Sequence, residues 1–266
     1  MHKNSSDRFN IVVIGAGNVA YSLVPIINKA GHNVVQIVGR TPENAQELAE
    51  LVKSKHTSNV SDIQVDADAY ILAVPDSAIL GLSKSLHKLN GIVVHTSGST
   101  PLSVLSSLAD NYGVFYPFQT FTKGRDVSLQ NVPICIESNN QDTLTMLFRF
   151  SESLGARPVK MDSSTRQWLH LSGVFSCNFV NHMLAIAQVI AQEHGFSYNL
   201  LKPLIEETIS KALNDNPIDN QTGPAVRGDS ETIKKHVALL SNIDEDIRDL
   251  YTEISKSILN FKQSKE

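Results

Sequence analysis

Cysteine is nearly absent: among 266 residues only Cys135 and Cys177 carry a thiol. Their separation matches no metal-ligand spacing, and two cysteines build no disulfide framework. Both sit in apolar runs, so each reads as a small buried hydrophobe. An excess of charge of one sign is missing too. Twenty-three Lys and Arg against 27 Asp and Glu leave a formal net charge of −4. That balance gives no electrostatic reason to expect nucleic acid or an anionic membrane as partner. No uninterrupted run of eighteen apolar residues occurs, so no membrane span is expected. The opening residues, MHKNSSDRFN, lack the apolar centre of a secretory signal. These absences together predict a cytoplasmic protein. What is present is ordinary globular material, 41% hydrophobic and 19% charged, enough for a proper core.

From Asn10 the chain reads NIVVIGAGNVAYSL. Ile11 to Ile14 is a short β-branched run of the kind found in buried parallel strands. Gly15, Gly17 and Ala20 then fit G-x-G-x-x-A. The first glycine permits a tight turn, the second lets a pyrophosphate reach the backbone, and the small third residue lets helix and strand pack closely. A helix N-terminus after this turn offers free N–H groups to phosphate. A second strand follows at Val34 to Val38, which supplies the context the motif needs. At its tip stand Gly39, Arg40 and Thr41, with no acid for the ribose hydroxyls. A guanidinium and a hydroxyl suit a 2′-phosphate, so NADP is favoured over NAD.

Further strands are predicted at Asp68 to Asp76, Gly91 to Thr100 and Tyr112 to Phe121, with two late ones in NVPICIES and GARPVKM. Helical patterns fill most of the intervals, which predicts a doubly wound α/β sheet. Ligands bind beyond the carboxyl ends of such strands, so the AVP and TSGS loops should border the cofactor. After Met161 the strand signals stop. The domains expected are therefore 1–161, Rossmann-like and NADP-binding, and 162–266, all-α.

In the second half, Ser163 or Ser164 is positioned to cap a helix running to about His194, where Gly195 ends it. Arg166, His170, Gly173, Cys177 and Asn181 fall on one face of that helix, with Asn178 nearby. Buried His and Asn need hydrogen-bond partners. Either they form a satisfied core network or the stripe faces the nicotinamide. Toward the C-terminus, TGPAVRGD (Thr222 to Asp229) contains Arg-Gly-Asp, but nothing routes the chain outside the cell for adhesion. Gly223-Pro224 breaks a helix, and Asp229 is positioned to N-cap the next one. Arg227 reads as an anion or substrate contact, or as a structural ion pair.

GAGNVA, HTSGS, YPFQTF, HLSGVFSCNFVNHM and TGPAVRGD occur in that order. In this the chain resembles a bacterial family with a Rossmann-like N-terminal domain and a helical C-terminal domain of unknown function. The layout is similar to pyrroline-5-carboxylate reductases, deazaflavin-dependent NADP oxidoreductases and β-hydroxyacid dehydrogenases. The resemblance implies that Gly15, Gly17, Asn18 and Val19 form the phosphate loop, and that Ala73, Val74 and Pro75 flank the cofactor ribose. Two features depart from these patterns. No lysine stands between Met161 and Leu201, where β-hydroxyacid dehydrogenases carry one, and Tyr116-Pro117 replaces a His-Pro found in relatives.

The function expected is an NADP-dependent oxidoreductase acting on a small C=O or C=N substrate in an interdomain cleft. His170 is the candidate acid/base, since an imidazole's unperturbed pKa of about 6.5 lies close to working pH. Ser97 is the candidate hydrogen bond to the reacting atom, and Asn178 the candidate orienting group. His95, Asn181 and Arg227 are further substrate candidates. The alternative is a dinucleotide-binding sensor or assembly protein without turnover. A long apolar helix needs covering on several sides, which also predicts a homodimer.

Overall fold

The structure, a computed structural model, describes residues 8–263; the N-terminal stretch 1–7, which bears on the expected absence of a signal, lies outside them. The chain divides into two compact units, Met1–Ser176 and Cys177–Glu266.

The first unit is an eight-stranded sheet in the order β3-β2-β1-β4-β5-β6-β7-β8. Its strands are β1 (Asn10–Ile14), β2 (Asn33–Val38), β3 (Lys55–Thr57), β4 (Ala69–Leu72), β5 (Ile92–His95), β6 (Tyr112–Pro117), β7 (Pro133–Ser138) and β8 (Arg157–Lys160). All neighbours are parallel except β6 and β7. The order of the first six strands is that of the Rossmann fold, as the strand–helix alternation predicts. The three-residue edge strand β3 is unannounced by the sequence, because KHT is largely exposed and has no apolar run.

Alternation along each strand builds two cores. Ile11 and Val13 point with Leu23, Ile27 and Phe115 into one face. Val12 and Ile14 point with Tyr70, Leu72 and Val93 into the other. Both faces are thus dry, which is why the central strands read as continuous apolar runs. Helices α1 (Asn18–Lys29), α2 (Pro42–Val52), α3 (Asp76–Ser85) and α4 (Gln141–Ser153) pack on the sheet. Helix α1 continues through Pro25 as a single element. Asn140 caps α4 by accepting the Thr143 N–H at 2.8 Å.

Helix α5 (Ser163–Gly173) passes through a π-helical turn, Val174–Phe179, into α6 (Val180–Glu193). Its N-cap is Asp162, whose carboxylate accepts the Thr165 N–H at 2.7 Å. The expected serine cap is absent because the Ser163 hydroxyl is used elsewhere: it bonds Glu137 at 2.6 Å and accepts the Leu102 N–H at 3.0 Å. These bonds hold the start of α5 to the sheet, and the unit boundary accordingly falls beyond residue 161. The π turn also ends the 3.6-residue count on which the polar stripe was phased.

One expectation for this helix is corrected. It is not buried within the chain: Trp168 is 70% exposed and Leu171 43%. Within Ser163–Glu193 an 18-residue window has a mean hydropathy of 1.5, which by length and composition alone is apolar enough to cross a bilayer. Short polar interruptions such as His170 and Asn178 break the apolar run, yet the near-absence of formal charge keeps the average high.

The second unit contains α6, α7 (Lys202–Asn214), α8 (Pro224–Arg227), α9 (Ser230–Leu240) and α10 (Glu245–Gln263). An apolar groove of about 270 Å³ is lined by Met183, Ile186, Ile190, Ala225, Leu250 and Ile254, among others.

Candidate active site

The turn from β1 into α1 has the geometry its glycines predict. Gly15 takes φ +122°, where an L side chain is strained, and a Cβ there would sit 2.6 Å from the Ala73 carbonyl carbon. Gly17 is the N-cap of α1 and makes no side-chain cap. A Cβ on Gly17 would meet nothing within 4 Å, so an open space lies against the free N–H groups of the helix. Gly17 and Asn18 are exposed, Val19 is half-buried and Ala20 is buried. This is a cradle of the shape a bridging phosphate requires.

The tip of β2 adjoins it. A Cβ on buried Gly39 would press on Ala45 at 2.9 Å and Ala16 at 3.2 Å, so glycine keeps the phosphate loop and α2 close together. Arg40 and Thr41 are exposed. Thr41 is the N-cap of α2 but its hydroxyl makes no cap bond. Arg40 forms no ion pair among the described residues. A cation, a hydroxyl and a helix N-terminus are therefore all available to one anion. On the other side of the loop, Ala73 is buried, Val74 half-buried and Pro75 exposed as the N-cap of α3.

The carboxyl ends of β5 and β6 bring a second group together. Tyr116 Oη lies 3.0 Å from His170 Nδ1, and the two rings meet edge to face with centroids 6.0 Å apart. Gly98 makes the pairing possible: a Cβ there would fall 2.7 Å from His170 Nδ1 and 2.8 Å from Tyr116 Cζ. Gly173, one turn beyond His170, leaves room in the same way for Phe118, whose Cε2 would be 2.8 Å from an added Cβ. Burial pushes the Tyr116 phenol up to about 12, with the charge of Cys135 and Asp76 acting in the same direction. The phenol therefore keeps its proton at neutral pH. Sequence reasoning did not place Tyr116 in the site; its signals were a place at a strand's carboxyl end, inside the quoted YPFQTF, and the replacement of a His-Pro by Tyr116-Pro117.

Helix α5 is anchored by Arg166, which is fully buried. Its Nη1 donates to Glu137 Oε2 at 2.6 Å and its Nη2 to the Thr100 carbonyl at 2.6 Å. Glu137 thus joins β7, and Thr100 the loop after β5, to the helix one turn before His170. Gln167 adds a bond to the Ser99 carbonyl at 2.9 Å. Arg166 was noted in the polar stripe, but nothing in the sequence paired it with Glu137.

Two site candidates bond to the loop after β5. The Ser97 hydroxyl donates to Thr100 Oγ1 at 2.9 Å and accepts the N–H groups of Ser99 and Thr100 at 3.1 and 2.9 Å. The hydroxyl is thus engaged in shaping the loop. His95 is fully buried, with Nδ1 accepting the Ser97 N–H at 3.2 Å. Burial, with the Arg166 charge in second place, pushes its pKa down to about 4, so the ring is neutral. Its Nε2 finds no hydrogen-bond partner among the described residues.

In the second unit Asn178 and Asn181 are exposed, and they are not members of a buried network. Arg227 is exposed at the end of α8 and forms no ion pair among the described residues, so the structural ion pair weighed for it is not seen. Gly223 and Gly228 take φ of +106° and +68° around α8, and Asp229 caps α9 by accepting the Thr232 N–H at 3.1 Å, as the turn residues predict. No cluster of three or more metal-ligating side chains occurs among the described residues. A broad cleft of about 800 Å³, lined by Arg8, His32, Asp68, Gly91 and Arg149 among others, lies at the amino ends of the strands. The carboxyl-end loops are the better site, because α/β sheets bind ligands there.

Comparison with known proteins places these features in context. A family described as "NADP oxidoreductase coenzyme F420-dependent" matches residues 10–97. One described as a domain of unknown function, DUF2520, matches residues 132–258. The crystal structure of BF3122 from Bacteroides fragilis, described as a candidate NADP oxidoreductase, is 36% identical, with 96% of this chain and 100% of that chain covered at a TM-score of 0.91. A 1-pyrroline-5-carboxylate reductase from Streptococcus pyogenes is 14% identical, with 94% and 99% covered and a TM-score of 0.64. An imine reductase from Myxococcus stipitatus, in complex with NADP+, is 15% identical, with 94% of each chain covered and a TM-score of 0.68. The last two show likeness of fold alone. No curated protein matches the sequence.

Proposed function

The chain belongs to the family of BF3122, and from that premise we propose that it is an NADP-dependent oxidoreductase reducing or oxidising a small C=O or C=N compound. The observation that carries this reading is one of placement. The phosphate cradle, the Arg40–Thr41 tip and the Tyr116–His170 pair all stand at the carboxyl edge of one sheet. From β2 to β6 that edge crosses four strand intervals, about 19 Å at the usual 4.8 Å spacing. An extended dinucleotide lying along it would have its adenosine 2′-phosphate at Arg40 and Thr41, its pyrophosphate at Gly15 to Val19, and its nicotinamide toward Tyr116.

When bound, the nicotinamide supplies or accepts the hydride. The chain supplies the proton. Tyr116 holds a neutral O–H whose oxygen can accept from His170 Nδ1 while its hydrogen is donated to the substrate oxygen or nitrogen. His170 then restores the phenol's proton from solvent, so each reduction consumes one proton overall. Arg166 and Gly98 act through position: the first fixes the helix that carries His170, the second lets both rings meet. This pair takes the place of the lysine expected in the dehydrogenase pattern.

The test is loss of NADPH absorbance at 340 nm against a panel of cyclic imines and 2-oxo acids. Consumption with at least one of them supports the proposal. Tight NADPH binding with no consumption would leave the protein a dinucleotide-binding sensor. We also read the exposed apolar side chains Trp168, Leu171, Leu200, Leu204, Leu213 and Leu239 as covered by a second copy of the chain. Exposed apolar surface of this extent marks an interaction site, and homo-oligomers are the commonest way to cover it.

A further inference from the structure

The connection from β6 to β7 is tied down at Lys123 by three contacts. Its backbone N–H donates to Asn18 Oδ1 at 3.3 Å. Its Nζ lies 2.8 Å from Glu47 Oε2 and 4.1 Å from the centroid of the Tyr21 ring. Tyr21 Oη in turn donates to the Asn44 carbonyl at 3.2 Å. One residue thus binds a distant segment to both α1, through Asn18 and Tyr21, and α2, through Glu47. The Glu47 carboxyl is held below its usual range by the bond from Lys123, and the Lys123 ammonium above its own by the bond from Glu47. The pair is therefore charged against charge.

The consequence falls on Asn18, the first residue of α1. A backbone N–H can be accepted only by the carboxamide oxygen, so the Lys123 bond fixes which way that group faces. Oδ1 is turned to Lys123 and the two Nδ2 donors are turned away. Nδ2 makes no hydrogen bond among the described residues, and Asn18 is exposed and directly follows Gly17, over which a Cβ would meet nothing within 4 Å. The Lys123 ammonium itself is occupied by Glu47, in the second turn of α2, whereas Arg40 and Thr41 stand free at the start of that helix.

We propose that Lys123 is a positioning residue for the dinucleotide, clasping the β6–β7 connection across α1 and α2 so that the Asn18 carboxamide presents its donors to the pyrophosphate. This rests on the dinucleotide-binding reading above. Because the pyrophosphate is common to both cofactors, the clasp strengthens NADPH and NADH alike and leaves the preference between them to Arg40 and Thr41.

The experiment is fluorescence titration with NADPH and with NADH. Lys123→Ala is expected to raise both dissociation constants by the same factor, about 2- to 12-fold, which is what one neutral hydrogen bond contributes. Lys123→Arg, which keeps the cation, restores most of the loss. Combined with Asn18→Ala, the Lys123 substitution costs nothing further, because the two residues act as one unit. Unchanged affinities would overturn the clasp, and so would additive losses in the double variant. A loss for NADPH alone would also overturn it and make Lys123 a 2′-phosphate contact. If the wild-type chain bound neither dinucleotide, the dinucleotide reading itself would fall, and the clasp with it.

Discussion

The Tyr116 hydroxyl is 3.0 Å from His170 Nδ1, a bond that joins the carboxyl end of β6 to helix α5 across 54 residues of sequence. Neither ring could sit where it does with any side chain at position 98. Tyr116→Phe removes the one hydroxyl of the pair and leaves the ring packing intact. With a substrate found by the 340 nm screen, it is expected to lower turnover by about 10²- to 10⁴-fold, the usual worth of a positioned acid or base. NADPH affinity should stay within about twofold. His170→Ala should fall to a similar level, and the double variant little further, since residues acting as a unit are not additive. Full turnover in Tyr116→Phe would remove it from the mechanism.

Stability should depend on the buried ring of His95. Its folded pKa is pushed down to about 4 from an ordinary 6.5. Above pH 6.5 the ring is neutral in both folded and unfolded chains and contributes nothing to the pH dependence. Between 6.5 and 4 the unfolded chain binds a proton that the folded chain does not, so stability falls as pH falls. The loss is complete below about pH 4 and amounts to about 3 kcal/mol. Urea unfolding at pH 7 and pH 4.5 reads this directly. His95→Asn, which keeps an acceptor for the Ser97 N–H, should flatten that part of the pH profile. An unchanged slope in the variant would assign the effect to other groups.

The Arg166–Glu137 pair should respond unequally to removal of its two partners. Arg166 is completely buried, whereas the Glu137 side chain retains 19% exposure. Glu137→Ala leaves a buried guanidinium without its counter-charge and should cost about 3–5 kcal/mol in urea unfolding. Arg166→Met fills the space with apolar atoms and leaves a carboxylate that water can reach, so it should cost less. Equal losses would mean that the charge pairing is not what holds α5 to the sheet.

The apolar side chains exposed along α5 and across the helical unit lead to a prediction about assembly. Sedimentation at micromolar concentration should give a mass of twice 29.2 kDa. Leu204→Glu and Leu213→Glu, at positions 66% and 80% exposed, should lower the dimer fraction without unfolding the chain. A wild-type monomer at that concentration would refute the proposal.

Much of the first unit could be read from local sequence, because its strands are dry on both faces and its turns need particular residues. Ile11 to Ile14, Gly15 and Gly17 each state their geometry within a few positions. The three-residue strand β3 could not be read, having no apolar residue to betray it. The helical unit was readable as helices, but not in its exposure, since periodicity cannot tell which apolar face is covered. The proposed proton-transfer pair illustrates the same limit. His170 was visible as a polar residue in an apolar helix, whereas Tyr116 and Glu137 come from distant strands. Their pairing exists only once β6 and β7 lie in register beside α5. Ser97 and His95 show the opposite limit: their types were legible in the sequence, but not the bonds that tie the Ser97 hydroxyl and the His95 Nδ1 into the loop after β5.

The central claim is that the carboxyl edge of the sheet is an NADP site read by Arg40 and Thr41, and calorimetric titration with NADPH and NADH tests it most directly. A charge-assisted contact of about 1.5–3 kcal/mol corresponds to a preference of about 10- to 150-fold for NADPH, and Arg40→Ala should remove most of it while leaving NADH affinity in place. Equal affinities for the two dinucleotides in the wild-type chain, or a preference that survives Arg40→Ala and Thr41→Ala together, would contradict the account.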